Sequence, residues 1–186
     1  MNTAVVLNEK QAKQIREWLC NNGQQLIADV CLMMQGGVLR VSTALSLTFA
    51  DVVNGEIDVT ESKTGKRKAL ILPGAVVEMV ARRRAEFPED EHLFRSQRNR
   101  FLKKQKPVSR EEVSKQISIA AKEIGINGTV SAHSFRKCAG NTVYRNSGNN
   151  IALAMKVLNH SSAQSTLSYL QLDKQAISNA LEGMDL

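Results

Sequence analysis

Aromatic side chains are scarce in this 186-residue chain, which holds one Trp, two Tyr and five Phe. So few ring faces argue against a platform on which single-stranded bases stack. Cysteine is scarcer still: Cys20, Cys31 and Cys138 are odd in number, widely spaced and in apolar or helical company. They read as free thiols of a reducing compartment, neither a disulfide framework nor a zinc site. No apolar run approaches the roughly 20 residues that a membrane-spanning helix needs. The opening Met1-Asn2-Thr3-Ala4-Val5-Val6-Leu7 has no basic segment followed by a cleavable apolar stretch, so nothing directs secretion. A cytoplasmic protein with no membrane partner is the expectation. Also missing are a Gly-rich phosphate loop, a carboxylate cluster fit for two metal ions and a Cys/His set at metal spacing. Chemistry without a metal or cofactor fits that pattern.

What the chain does have is a core and a concentrated positive charge. Apolar residues make up 42% of it, which excludes a mainly disordered chain. Its length suits one domain. The net charge is +7, unevenly spread: residues 61–150 hold nineteen basic against nine acidic side chains, while both flanks are slightly acidic. A field of that kind attracts polyanions, and backbone contact with duplex nucleic acid suits the lack of aromatics better than base stacking does. A basic but merely solvated surface is the plain alternative.

Apolar spacing predicts helices over 8–22, 24–35 and 38–49, with Gly36-Gly37 as a break. The period then changes. Residues 51–53 and 56–61 alternate around Asn54-Gly55, a strong hairpin signal, and 66–72 forms a third strand after the turn Ser62-Lys63-Thr64-Gly65. Helix returns over 75–87, and residues 88–108 read as irregular and basic. Ser109 with Glu111 and Glu112 opens a helix to about 124. Further helices are expected over 131–146, 151–158, 163–170 and 174–181. The fold class is therefore α+β, mainly helical with a small three-stranded antiparallel sheet.

Singly, the polar candidates are weak. His133 and Arg136 share a helix face, as many surface pairs do. His160 precedes a Ser-Ser cap, Tyr169 sits in a short amphipathic turn, Lys63 is at a hairpin tip, and Arg40 follows Gly36-Gly37 in an apolar segment. Their order is more telling. Arg40, then Lys63 in a β-turn, then His133-x-x-Arg136, Leu158-Asn159-His160 and Tyr169 nine residues later resembles the catalytic domain of tyrosine recombinases, the phage-integrase family. The resemblance runs from about Leu7 to about Leu181. Three positions depart from the family's pattern: Thr43 stands where an acidic residue usually follows the first arginine, Val38 where a Gly usually precedes it, and Asn159 where Leu-Gly-His is usual.

The resemblance implies cutting and rejoining of double-stranded DNA through a 3′-phosphotyrosyl intermediate. Tyr169 would be the nucleophile, and Arg40 and Arg136 would clamp the nonbridging oxygens. Lys63 would protonate the leaving 5′-oxygen, His133 would manage the tyrosine proton, and His160 would donate a hydrogen bond. Lys66, Arg67, Lys68, Arg98, Arg100, Lys103 and Lys104 are expected to meet the DNA backbone. It further implies a bacterial or phage-encoded, nucleoid-associated protein, monomeric when free and tetrameric on DNA, with room for accessory DNA-bending proteins. The segment 173–186 is the candidate for exchange between protomers. The family's usual N-terminal DNA-gripping domain is expected to be absent, leaving residues 1–186 as one catalytic domain. Two other readings share these residues: a DNA-binding or regulatory module without turnover, and a type IB topoisomerase.

Overall fold

The computed structural model describes residues 4–61, 63–167 and 170. They divide into two compact units, 1–139 and 140–186. In the first unit, α1 (Glu9–Asn21) begins where the sequence offers reciprocal capping. The Asn8 side chain accepts from the Gln11 amide while the Gln11 side chain accepts from that of Asn8, satisfying two otherwise orphaned donors. It buries Ala12, Ile15 and Leu19 against α2 (Gln25–Gly36), whose inward face carries Ile27, Val30, Met33 and Met34. α6 (Arg110–Glu123) closes this core with Val113, Ile117 and Ala120, and its Ser109 cap accepts from the Glu112 amide. Helix α4 (Gly74–Glu86) adds Val76 and Met79.

The expected helix over 38–49 is shorter in the structure: α3 spans only Val41–Ser46. Val38 has a left-handed backbone (φ 48°) and Arg40 an extended one (φ −70°, ψ 148°), so neither belongs to a helix. A single 3₁₀ turn over Phe49–Asp51 follows. The three-stranded antiparallel sheet is as expected, with β1 (Val52–Val53), β2 (Glu56–Thr60) and β3 (Arg67–Ile71) in that order. Register pairs Ile57 with Leu70 and Val59 with Lys68. Because pleating alternates faces, Lys68 stands on the same inward row as Leu70.

In the basic stretch read as irregular, Ser96 caps a short helix, α5 (Gln97–Phe101), accepting from the Asn99 amide. Helix α7 (Ala132–Asn146) carries Phe135 and Cys138 inward. The second unit contains α8 (Ile151–Val157) and α9 (Ala163–Leu167). There Leu158 lies so close to Gly140 that a Cβ on the glycine would come within 3.0 Å of its side chain. The expected helix over 174–181 and the exchange segment 173–186 lie outside the described residues. Among the described residues no helix is long and apolar enough to cross a membrane.

Candidate active site

The end of α2 builds one side of the site. After α2, the Leu39 amide donates to the Met34 carbonyl (3.0 Å) and the Val38 amide to Gln35 (3.3 Å), with Val38 at φ 48°. This Schellman closure requires a left-handed residue. Glycine takes that conformation without strain, whereas a residue with a Cβ carries about 1–2 kcal/mol of it. Val38 therefore holds backbone strain where the resemblance expects glycine, and Gly37, with φ −86°, does not take over the role. The turn aims the Val38 carbonyl inward. It accepts from Arg136 Nη1 and from Lys68 Nζ, each at 2.7 Å.

Next to that carbonyl lies Glu61, fully buried just past the end of β2. Its Oε2 pairs with Arg40 Nη1, and its Oε1 stands 3.4 Å from Arg136 Nη1. Burial alone would raise the Glu61 pKa, but Arg136 and Arg40 more than offset this and hold it below the usual carboxylate range. Arg136 is fully buried, while the Arg40 side chain remains 19% exposed and so reaches solvent. Lys63 is exposed in the turn that Glu61 closes through its backbone: the Thr64 and Gly65 amides both donate to the Glu61 carbonyl, at 3.1 and 2.8 Å.

His133 and Arg136 project from the first turns of α7. As a residue His133 is exposed, yet its ring is partly desolvated and faces Lys137, Arg136, Arg40 and Lys63. Desolvation first and these four cations second push its pKa down to about 4. The imidazole is thus neutral across the physiological range and able to accept a proton. The structure therefore brings together four of the six expected catalytic residues: Arg40 and Arg136 share one carboxylate, and His133 faces both of them and Lys63. Two guanidiniums, an exposed ammonium and a neutral imidazole form an arrangement suited to a phosphodiester.

In the second unit, the turn after α8 repeats the Schellman closure. The His160 amide donates to the Met155 carbonyl (3.0 Å) and the Asn159 amide to Lys156 (3.1 Å), with Asn159 at φ 54°. Asparagine tolerates this conformation best after glycine, which accounts for the departure from Leu-Gly-His. His160 is thereby fixed with its Nδ1 3.1 Å from the Oγ1 of buried Thr166. Tyr169 lies outside the described residues.

The expected DNA-contacting residues separate. Lys63 aside, Arg98, Lys103 and Lys104 are exposed, and Lys66 is half-buried. Arg67 is exposed but forms a bidentate pair with Asp58 across the hairpin. Arg100 pairs with Asp90 and lies 3.7 Å over the Phe87 ring. Lys68 points inward and is buried, so it stands beneath the site and not on a surface that a duplex could touch. Part of the middle segment's positive excess is likewise internal: Arg83 pairs with Asp29 and donates to the Leu93 carbonyl, and Arg95 pairs with Asp90. The residue overlooked in the sequence was Glu61. Its signal was there, since Ile57, Val59 and Glu61 share one row of the alternating strand, and a carboxylate on an inward row needs buried cations.

Comparison with known proteins gives the family and the fold. The model of the phage integrase family matches residues 5–176. The probable integrase/recombinase YoeC of Bacillus subtilis (strain 168) is 29% identical over 168 residues, covering 89% of this chain and 87% of that protein. Among solved structures, XerA recombinase superimposes with a TM-score of 0.76 at 22% identity over 97% of this chain and 65% of its own. XerH bound to palindromic difH substrate, in a post-cleavage complex, gives 0.80 at 18% identity over 98% and 53%. A lambda integrase tetramer bound to a Holliday junction gives 0.75 at 18% identity over 92% and 49%. The chain thus spans about half to two thirds of these solved recombinases, and the likeness to them is one of fold: a mainly helical catalytic domain with a small antiparallel sheet.

Proposed function

The chain belongs to the phage integrase family, and on that footing we propose that it cuts and rejoins duplex DNA at a specific site, by tyrosine attack on a backbone phosphate. The observation that carries this reading is the pairing of Arg40 and Arg136 through buried Glu61, with Lys63 and a neutral His133 beside them. In the reaction the Tyr169 hydroxyl attacks phosphorus, its proton passes to His133, and the 5′-oxygen leaves with a proton from Lys63. Arg40 and Arg136 hold the two nonbridging oxygens as charge builds on them, the point at which preorganised donors have their greatest effect. His160 adds a further donor, its ring oriented by Thr166. The phosphotyrosyl link keeps the energy of the broken ester, so a second DNA strand can reverse the step without water or nucleotide.

Duplex DNA is the partner under this reading, held through exposed Arg98, Lys103 and Lys104 as well as the site itself. The homotetramer named for lambda integrase on a Holliday junction supports assembly of four copies on two duplexes. Accessory DNA-bending proteins and a cytoplasmic, nucleoid-associated location belong to the same proposal. Residues 1–186 act in it as a catalytic unit.

The test is trapping of a covalent adduct on a library of nicked duplexes, in which the severed strand diffuses away after cleavage. The wild-type chain should form a denaturant-resistant adduct, and Tyr169→Phe should abolish it while leaving DNA affinity nearly unchanged. An adduct that persists in Tyr169→Phe would refute the assignment and direct attention to Tyr144.

A further inference from the structure

Glu61 meets three parts of the site, two of which come from distant points in the chain with no sequence spacing to mark the meeting. Its carboxylate reaches Arg40, 21 residues earlier, and Arg136, 75 residues later. Its carbonyl accepts the two amides that close the turn bearing Lys63, and Thr64 Oγ1 stands 3.2 Å from Oε2. The side chain is wholly shielded from solvent. A carboxylate so placed cannot rotate toward water, so it fixes the plane and position of both guanidiniums before any phosphate arrives. Thr43, one turn into α3 from Arg40, does not provide this service: its buried hydroxyl has no hydrogen-bond partner.

We propose that Glu61 is the positioning residue of the phosphate site, setting Arg40 and Arg136 relative to one another and to the Lys63 turn. It acts through these residues and does not touch the substrate. The proposal rests on the reading of Arg40 and Arg136 as the phosphate clamp. Two guanidiniums side by side repel each other, and the Glu61 carboxylate reaches both. With Glu61 in place the clamp is preorganised; without it, partly exposed Arg40 loses its carboxylate partner while Arg136 stays on the Val38 carbonyl, so the spacing between the two is no longer set. Losing that alignment affects the transition state more than ground-state binding, because the nonbridging oxygens take on their full charge only as the bond breaks. Removing the carboxylate also leaves the site more positive, so DNA affinity should hold or rise while cleavage slows. A merely structural residue would lower both together.

The experiment pairs two measurements on wild type, Glu61→Gln and Glu61→Asp. One is the single-turnover rate of adduct formation on saturating nicked-duplex library, alongside its Kd. The other is the rate of phenylglyoxal labelling at Arg40, mapped by mass spectrometry, which needs no activity. Glu61→Gln should slow adduct formation by about 10- to 100-fold, the scale of a misplaced catalytic group, with Kd unchanged or tighter and Arg40 labelled several-fold faster. Glu61→Asp, one methylene short, should recover part of the rate and part of the protection. Labelling at the wild-type rate in Glu61→Gln overturns the proposal, as does an unchanged adduct rate, or a rate and an affinity that fall in parallel. Should the wild type form no adduct at all while Arg40 labelling still rises in Glu61→Gln, the positioning role stands and the recombinase reading fails.

Discussion

Lys68 offers the sharpest quantitative test of how this site is built. Its ammonium is buried on the Val38 carbonyl and faces Arg136 from α7, Arg40 ahead of α3 and Glu61 at the end of β2. Desolvation and the two guanidiniums outweigh the one carboxylate and bring its pKa from 10.5 to about 7. Unfolding restores the ordinary value. Between those two values the unfolded chain holds a proton that the folded chain has released, so stability rises with pH, by up to about 1.4 kcal/mol per unit. Below the folded value both states are protonated and the dependence disappears. Integrated from pH 7 to pH 9, the gain is about 2 kcal/mol. Cys20 and Cys31, whose thiols are pushed up by burial, work in the opposite direction over the same interval. Comparing the wild type with Lys68→Met cancels them. Urea unfolding at pH 7, 8 and 9, with m-values checked for constancy, should show the wild type gaining about 2 kcal/mol relative to the variant. Lys68→Met should also be at least as stable as the wild type at pH 7, since an apolar side chain of similar length removes the cost of a buried charge and leaves Arg136 on the Val38 carbonyl. Parallel pH profiles for the two proteins would refute the account of a strained, cation-crowded floor.

The remaining predictions concern the two histidine turns. His133, held near pKa 4, should stay neutral as the pH falls through 6.5, so single-turnover adduct formation should show no acid limb from it above about pH 5. An inflection near 6.5 that vanishes in His133→Gln would contradict the cationic surroundings described above. In the α8 turn, Asn159→Ala should lower stability by about 1 kcal/mol in thermal unfolding, because alanine lacks the short polar side chain whose local hydrogen bonding lets asparagine tolerate a left-handed backbone. Asn159→Gly should be neutral or slightly stabilising. Equal losses in both variants would mean that the amide side chain matters and the backbone conformation does not.

Much of this molecule could be read locally. The start of α1, the cap at Ser109, the Asn54-Gly55 hairpin and the Gly36-Gly37 break each depend on a few neighbouring residues, and each lies close to where the sequence places it. The expected helix over 38–49 failed because its first residues are engaged elsewhere. The Val38 carbonyl serves Arg136 and Lys68, and those bonds hold a β-branched residue in a conformation that its own propensity disfavours. The short helix α5 escaped notice because its residues are basic and exposed, so no apolar period marks it. The run of Lys66, Arg67 and Lys68 resembles solvated charge in the sequence, yet strand alternation sends the last of the three inward.

The sequence by itself determined the family, the three-stranded sheet, most of the helices on either side of it, and the identities of the charged groups that could meet a phosphate, since all of these rest on residue type and spacing. It also located the two turns, after α2 and α8, where glycine is replaced by Val38 and Asn159. The tertiary structure alone decided which charges face one another. Glu61 became the partner of Arg40 and Arg136, Lys68 a buried cation with a depressed pKa, and His133 a neutral imidazole, because burial and long-range proximity set the energy of a charge. Those depend on segments up to 98 residues apart. The eight aromatics bounded the function by being few, and only the fold set buried Glu61 against Arg40 and Arg136.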